Sequence, residues 1–224
     1  MPDAGVELVW SGRGLFVRGA DTRAHAVDAF PEQTFVGVRF RPGAAADVLG
    51  LHGAELADAR VGVSEIWGLA EMERIESRLL ECTSPAQTAA LLEDVVSARV
   101  RAGPDAAVDA VVAALDRGRT PVRELADRLG VSERQLLRRC VDALGYGPKT
   151  LDRILRFQRF RTLAARRRDL GLAGLAAVAG YADQAHLTRE CRRLAGEPPA
   201  SLLARGQMTV SFKTGQPGFS RPVA

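Results

Sequence analysis

With 224 residues, 46% of them hydrophobic, the chain has material for one large domain or two small ones and for a buried core of either size. Its longest apolar run, residues 172–180, falls short of the ~18 residues of a membrane-spanning helix, and an N-terminus carrying Asp3 and Glu7 lacks a basic leader pattern. Three cysteines (Cys82, Cys140, Cys191) are too few and too far apart for a disulfide framework or a four-ligand zinc site, so the chain reads as a soluble intracellular protein with no metal site and no cofactor. The net charge of +4 hides an asymmetry: residues 1–104 hold 10 arginines against 15 acidic residues, residues 105–206 hold 19 basic against 12 acidic, and residues 207–224 add Lys213 and Arg221. An arginine-rich C-terminal half is the electrostatic footprint of a phosphate-backbone partner, although a solvated arginine-rich surface would look the same by charge alone.

The first 42 residues read as strands and turns. Val6–Trp10, Gly14–Arg18 and Thr34–Phe40 are short β-favouring runs separated by glycine- and proline-bearing turns, enough for a thin sheet of three strands. After Arg41-Pro42-Gly43 the pattern becomes helical over Ala45–Leu49, Glu65–Leu80 and Pro85–Val100. In the middle segment Ile66, Leu69, Met72, Ile75 and Leu79 fall at steps of three and four, an apolar stripe facing a core. Glu71, Glu73, Glu76 and Glu81 on that segment read as a hydrated outer face. Gly103-Pro104-Asp105 punctuates the chain where the charge changes sign, which places a boundary between an N-terminal domain (1–103) and a second domain (104–206), followed by a tail (207–224).

Beyond the boundary every segment is helical in pattern. Thr120-Pro121 predicts a cap and first helical position, Gly130 a left-handed stop, and Ser132 with Gln135 a capping box opening a second helix that Gly145 ends. Gly147-Pro148 opens a long arginine-rich helix to about Arg167. Leu125-Ala126-x-x-x-Gly130 recurs fifty residues later as Leu175-Ala176-x-x-x-Gly180. Leu136, Arg138, Cys140, Gly145, Pro148 and Leu151 recur with a shift of 51 as Leu187, Arg189, Cys191, Gly196, Pro199 and Leu202. The two stretches, about 120–145 and 171–196, are one supersecondary unit used twice.

Each unit is a helix, a tight turn opened by glycine, and a longer helix, the pattern of a helix-turn-helix. Periodicity turns Leu136, Cys140 and Ala143 inward in one unit and Leu187, Cys191 and Leu194 in the other. The outward faces offer Arg134, Gln135, Leu137 and Arg138, and then Gln184, Ala185, Thr188 and Arg189, as candidates for base edges, Arg and Gln being suited to bidentate contacts with guanine and adenine. Arg139, Arg192 and Arg193 are candidates for phosphates. A joining helix of some twenty residues spans roughly 30 Å, close to the ~34 Å between successive major-groove faces, so the expected site is an asymmetric element of about 20 base pairs.

At these residues the chain resembles the AraC/XylS family of bacterial transcription regulators, whose C-terminal module has two helix-turn-helix units joined by a long helix. The run from Gly180-Tyr181-Ala182-Asp183-Gln184 to Gly196-Glu197-Pro198-Pro199 follows the family signature almost position by position. Cys191 stands where the family usually has Phe, and Cys140 occupies the equivalent place in the first unit, which implies compensating bulk nearby. The resemblance covers roughly residues 105–206 and implies sequence-specific binding of double-stranded DNA, with RNA polymerase as a further partner.

The N-terminal part is similar to the sensor-type domain ahead of this module in some actinobacterial regulators, over Leu8-Val9-Trp10, Phe16–His25 and Phe35–Gly43. The likeness implies no particular ligand; the net negative charge and apolar helical stripe of residues 1–104 lead to the expectation that this domain does not contact DNA and serves capture of a small-molecule effector or self-association as a homodimer. Because the relatives' sheet starts several strands earlier, an incomplete sheet is expected here, with Val6–Trp10 an unpaired edge that Met208–Lys213 could cover. The expected fold is therefore α+β: a small N-terminal mixed sheet with helices, then an all-α tandem helix-turn-helix domain.

Other chemistries find little support. Cys140 and Cys191 read as small buried hydrophobes, His25 and His52 as structural histidines, and His186 stands out only by its place in the first turn of a presumed reading helix. A DNA-repair methyl acceptor fused to such a module needs a cysteine cluster that the single cysteine of the N-terminal half cannot supply. No phosphate loop, Ser/His/Asp set or paired carboxylates point to an enzyme. The alternative is a weakly specific DNA-binding module without an effector.

Overall fold

The computed structural model describes residues 2–24, 34–118, 120–167 and 169–204, and within them the fold is α+β. Strand β1 (Glu7–Trp10) turns at Ser11–Gly14, where Gly12 takes φ 78° and the Ser11 N–H donates to the Gly14 carbonyl at 3.2 Å, and returns as β2 (Leu15–Arg18). Strand β3 (Val36–Arg39) pairs with the other side of β1, and β4 (Arg60–Gly62) with β2, giving an antiparallel sheet in the order β3-β1-β2-β4. Strand β1 is therefore central rather than the unpaired edge expected from the sequence, because residues 36–39 come back along its open side. Met208–Lys213, the expected cover, lies outside the described residues.

The sheet is buried on one face and ion-paired on the other. Leu8 and Trp10 of β1 lie opposite Val17 and Leu15 of β2 and Val38 and Val36 of β3 on the core face. On the reverse face the register lines up Arg39, Glu7, Arg18 and Arg60 across the four strands. Glu7 is buried and its carboxylate lies 2.6 Å from Arg18, while Arg39 pairs with Asp3. Burial pushes the Glu7 carboxyl up, and the Arg18 charge works against that rise.

Helices α1 (Ala45–Leu49), α2 (Gly53–Leu56), α3 (Val63–Trp67), α4 (Leu69–Leu80) and α5 (Pro85–Ser97) complete the N-terminal part. The stretch read from sequence as one helix from Glu65 to Leu80 is broken at Gly68, whose φ of 85° lies in the left-handed region. The break rotates Leu69 out of the stripe to 60% exposure, while Ile75 and Leu79 are buried as expected. The acidic residues of α4 are not all a hydrated face. Glu76 accepts from the Leu15 N–H at 2.7 Å, and Glu71 pairs with Arg74 and with Arg99, whose guanidinium lies 4.2 Å from the Trp67 ring centre.

Helices α6 (Ala106–Arg117), α7 (Val122–Arg128), α8 (Glu133–Leu144), α9 (Pro148–Arg166), α10 (Leu172–Ala179), α11 (Gln184–Ala195) and α12 (Pro199–Ala204) follow. The cap of α7 is Pro121 and its first residue Val122, one position later than the sequence suggests. The 103–104 junction is held, not loose: the Asp47 carboxylate accepts from the N–H groups of Arg101, Ala102 and Gly103 at 3.0–3.2 Å.

The hydrophobic core does not divide at that junction. One buried cluster runs from Ala4 through Val108, Leu136, Cys140 and Leu144 to Ile154, and a second gathers Phe157 and Phe160 with Leu175, Tyr181, Leu187, Cys191 and Leu194. The seam falls within α9. Helix α2 meets the C-terminal end of α8 so closely that a Cβ on Gly53 would lie 2.4 Å from the Gly145 nitrogen, and one on Gly145 would lie 2.4 Å from the Gly53 carbonyl oxygen. Further along α9, Gln158 donates to the Pro2 carbonyl, and burial, with the Arg161 charge nearby, pulls Arg39 down to about 10.

Candidate nucleic-acid interface

The two repeated helix pairs match at the level of single hydrogen bonds. After α7 the Gly130 N–H donates to Asp127 and the Val131 N–H to Ala126, and after α10 the Gly180 N–H donates to Ala177 and the Tyr181 N–H to Ala176. Gly130 and Gly180 take φ of 65° and 89°, the left-handed stop the turn requires. Leu136 and Cys140 are fully buried, and so are Leu187 and Cys191. Ala143 is half-buried, and Leu144 takes the inner position beside it. Burial, reinforced by Asp105 and Glu190, pushes the Cys140 and Cys191 thiols up to about 11 and about 12, so they pack as neutral side chains. Phe157 and Phe160, whose ring centres stand 6.5 Å apart, lie in the same buried cluster as Cys191.

With one face of each second helix committed to the core, the opposite face is left to solvent. On α8, Arg134, Gln135, Leu137, Arg138 and Arg139 are exposed, Leu137 at 48%. Arg134 and Arg138 have no ion-pair partner among the described residues. Arg139 lies 3.5 Å from Asp105, the residue that caps α6 by accepting from the Ala107 N–H at 2.8 Å. Gln135 is partly committed: its side-chain oxygen accepts from the Ser132 N–H at 2.8 Å, and its own N–H donates to the Ser132 hydroxyl at 3.2 Å. Only its terminal NH₂ is left to face outward.

On α11, Gln184, Ala185, Arg189, Arg192 and Arg193 are exposed and Thr188 half-buried. Gln184, Ala185, Thr188, Arg189 and Arg192 line an open hollow of about 530 Å³ along one side of the helix. Thr188 donates its hydroxyl to the Gln184 carbonyl at 2.9 Å. Asp183 caps the helix by accepting from the His186 N–H at 2.6 Å. His186, in the first turn of α11, is tied back to the preceding loop: its Nδ1 accepts from the Ala182 N–H at 3.4 Å and its ring stands edge-on to Tyr181 at 5.2 Å. His52 precedes α2, its N–H donating to Glu55 at 2.8 Å, and His25 lies outside the described residues.

Helix α9 joins the pairs through 19 residues, a length of about 28 Å. No helix among the described residues is long and apolar enough to cross a membrane. Residues 125–205, a little over a third of the chain and running from within α7 through the second helix pair, match the model of a family described as a helix-turn-helix domain. Among curated proteins none matches the chain. The exposed arginine-bearing faces and the family match agree: the chain carries a helix-turn-helix domain of the AraC type, the DNA-binding part of a transcription regulator.

Proposed function

We propose that the protein is a sequence-specific transcription regulator that lays α8 and α11 into two successive major-groove segments of one asymmetric site of about 20 base pairs. The observation that carries this reading is the repetition of one outward face on two helices, α8 and α11, joined through the single helix α9 of about 28 Å. Arg134, Leu137 and Arg138 read one segment, with the Gln135 NH₂ beside them, and Gln184, Ala185, Thr188 and Arg189 read the other. An exposed leucine among arginines suits a thymine methyl, and unpaired arginines suit guanine. Arg139, Arg192 and Arg193 meet phosphates, and Arg139 would give up Asp105 to do so.

Selection from random duplexes tests the reading. An enriched asymmetric motif is expected, bound ~10³-fold or more above random DNA at fixed salt. Arg138→Ala should then cost ~1–3 kcal/mol and relax preference in one half of the motif, and Arg189→Ala should do so in the other. Equal weakening on every duplex by both substitutions would identify the arginines as backbone clamps of a weakly specific module. RNA polymerase, a small-molecule effector and a second copy of the chain remain the partners to test once the site is known.

A further inference from the structure

We infer that Arg159 is the positioning residue that fixes the two helix pairs relative to each other and thereby sets the base-pair spacing accepted between half-sites. The inference rests on the two-groove reading above. Its basis is the seam between the two cores: the buried cluster around the first pair ends at Ile154, the cluster around the second begins at Phe157, and both lie on α9. Apolar packing holds each pair to α9 separately, so polar ties across the seam decide how one pair sits against the other.

Three arginines at three-residue steps on α9 face that seam, and they differ in reach. Arg153 lies 3.9 Å from Glu190 of α11. Arg156 is buried, pairs with Asp152 of its own helix and places its guanidinium 5.6 Å from the Tyr181 ring centre. Arg159 reaches both sides at once. Its Nη2 donates to the carbonyls of Leu115 and Asp116 at 3.0 and 2.9 Å, and its Nη1 to the carbonyl of Ala179 at 3.3 Å.

Those carbonyls belong to the last turns of two helices. Leu115 and Asp116 lie in the last turn of α6, which packs on α8 of the first pair, and Ala179 ends α10 of the second. The final carbonyls of a helix lack intrahelical partners and carry the negative end of its dipole. One guanidinium therefore satisfies the ends of two helices with a planar fork whose donor directions are fixed. A shift of either pair about α9 breaks bonds on one side of that fork and leaves carbonyls unpaired.

The test combines a distance and a binding ratio. Spin labels go on Asp127→Cys and Ala177→Cys, exposed equivalent positions of α7 and α10, in a Cys82→Ser background where Cys140 and Cys191 are buried. One narrow interlabel distance is expected with Arg159 intact, a distribution at least about twofold broader with Arg159→Met, and partial narrowing with Arg159→Lys, which restores charge but not the fork. On the selected duplex, one base pair inserted between half-sites should weaken the parent about tenfold and Arg159→Met less than about threefold, with base preference inside each half unchanged. If Arg159→Met keeps both the narrow distance and the full insertion penalty, the inference is wrong. A distance that broadens in Arg159→Met while the parent shows no insertion penalty upholds the clamp and removes the two-groove reading instead.

Discussion

Gln135 holds the start of α8 closed and also stands on the outward face of that helix, so the two demands on one amide can be separated by substitution. Its oxygen accepts from the Ser132 N–H and the Ser132 hydroxyl, and only its NH₂ is left for a base. Ser132→Ala should lower the stability of the folded chain by ~1 kcal/mol, read from the denaturant midpoint. Gln135→Ala should cost a similar amount while changing base selectivity far less than Arg138→Ala does. A selectivity loss as large as that of Arg138→Ala would make Gln135 a reader first and a cap second. Asp47 offers a pH readout of the same kind. Partial burial works against its charge, but the three N–H groups from Arg101, Ala102 and Gly103 outweigh that and hold the carboxyl below its ordinary value of 3.8. A carboxyl with a depressed folded value stabilises above its unfolded value and loses that contribution as the pH falls through the folded one. The melting difference between the parent and Asp47→Asn should thus be full near neutrality and shrink below about pH 4. A difference that stayed constant down to about pH 2.5 would show that the Asp47 charge contributes nothing.

Helix ends make the clearest comparison among elements, because Gly130 and Gly145 share a left-handed conformation in different surroundings. Both need φ near 65–83°, but a Cβ at Gly130 meets nothing within 4 Å, whereas one at Gly145 lies 2.4 Å from a backbone oxygen of α2 and 2.6 Å from the Ala57 Cβ. Gly130→Ala should therefore cost only the conformational penalty of ~1–2 kcal/mol, and Gly145→Ala clearly more, by chemical denaturation. Equal costs would mean that α2 yields to α8. These glycines, the capping box at Ser132 and the repeat itself were legible in the sequence because each is a local rule written in a few residues. Other elements depend on what lies across the fold. Strand β4 is three residues, Arg60-Val61-Gly62, with no alternation to find, and it exists because β2 offers it an edge. The break at Gly68 hid inside an otherwise regular stripe, and the central place of β1 depends on residues 36–39 returning beside it. Of the candidate interface, the exposure of the outward residues on both helices was legible from periodicity, while the Arg159 bridge was not, since backbone carbonyls of α6 and α10 leave no mark in the side-chain pattern.

For the whole molecule, a core that crosses residues 103–104 means that the charge boundary and the packing boundary are different places. A fragment starting at Pro104 should keep slow amide exchange in α10 and α11, whose cluster lies entirely within it, and lose protection in α6 and α8, where Val108 and Leu144 stand against Gly43 of the N-terminal part. Uniform protection across the fragment would show that the first pair needs no such cover. The Gly53–Gly145 contact extends this to inheritance. Two backbones touching where neither position has room for a methyl group form a joint that recombination can cut but not freely re-match. A chimera that grafts another N-terminal domain before residue 104 must bring an equally close-fitting backbone to face Gly145, or leave the end of α8 bare.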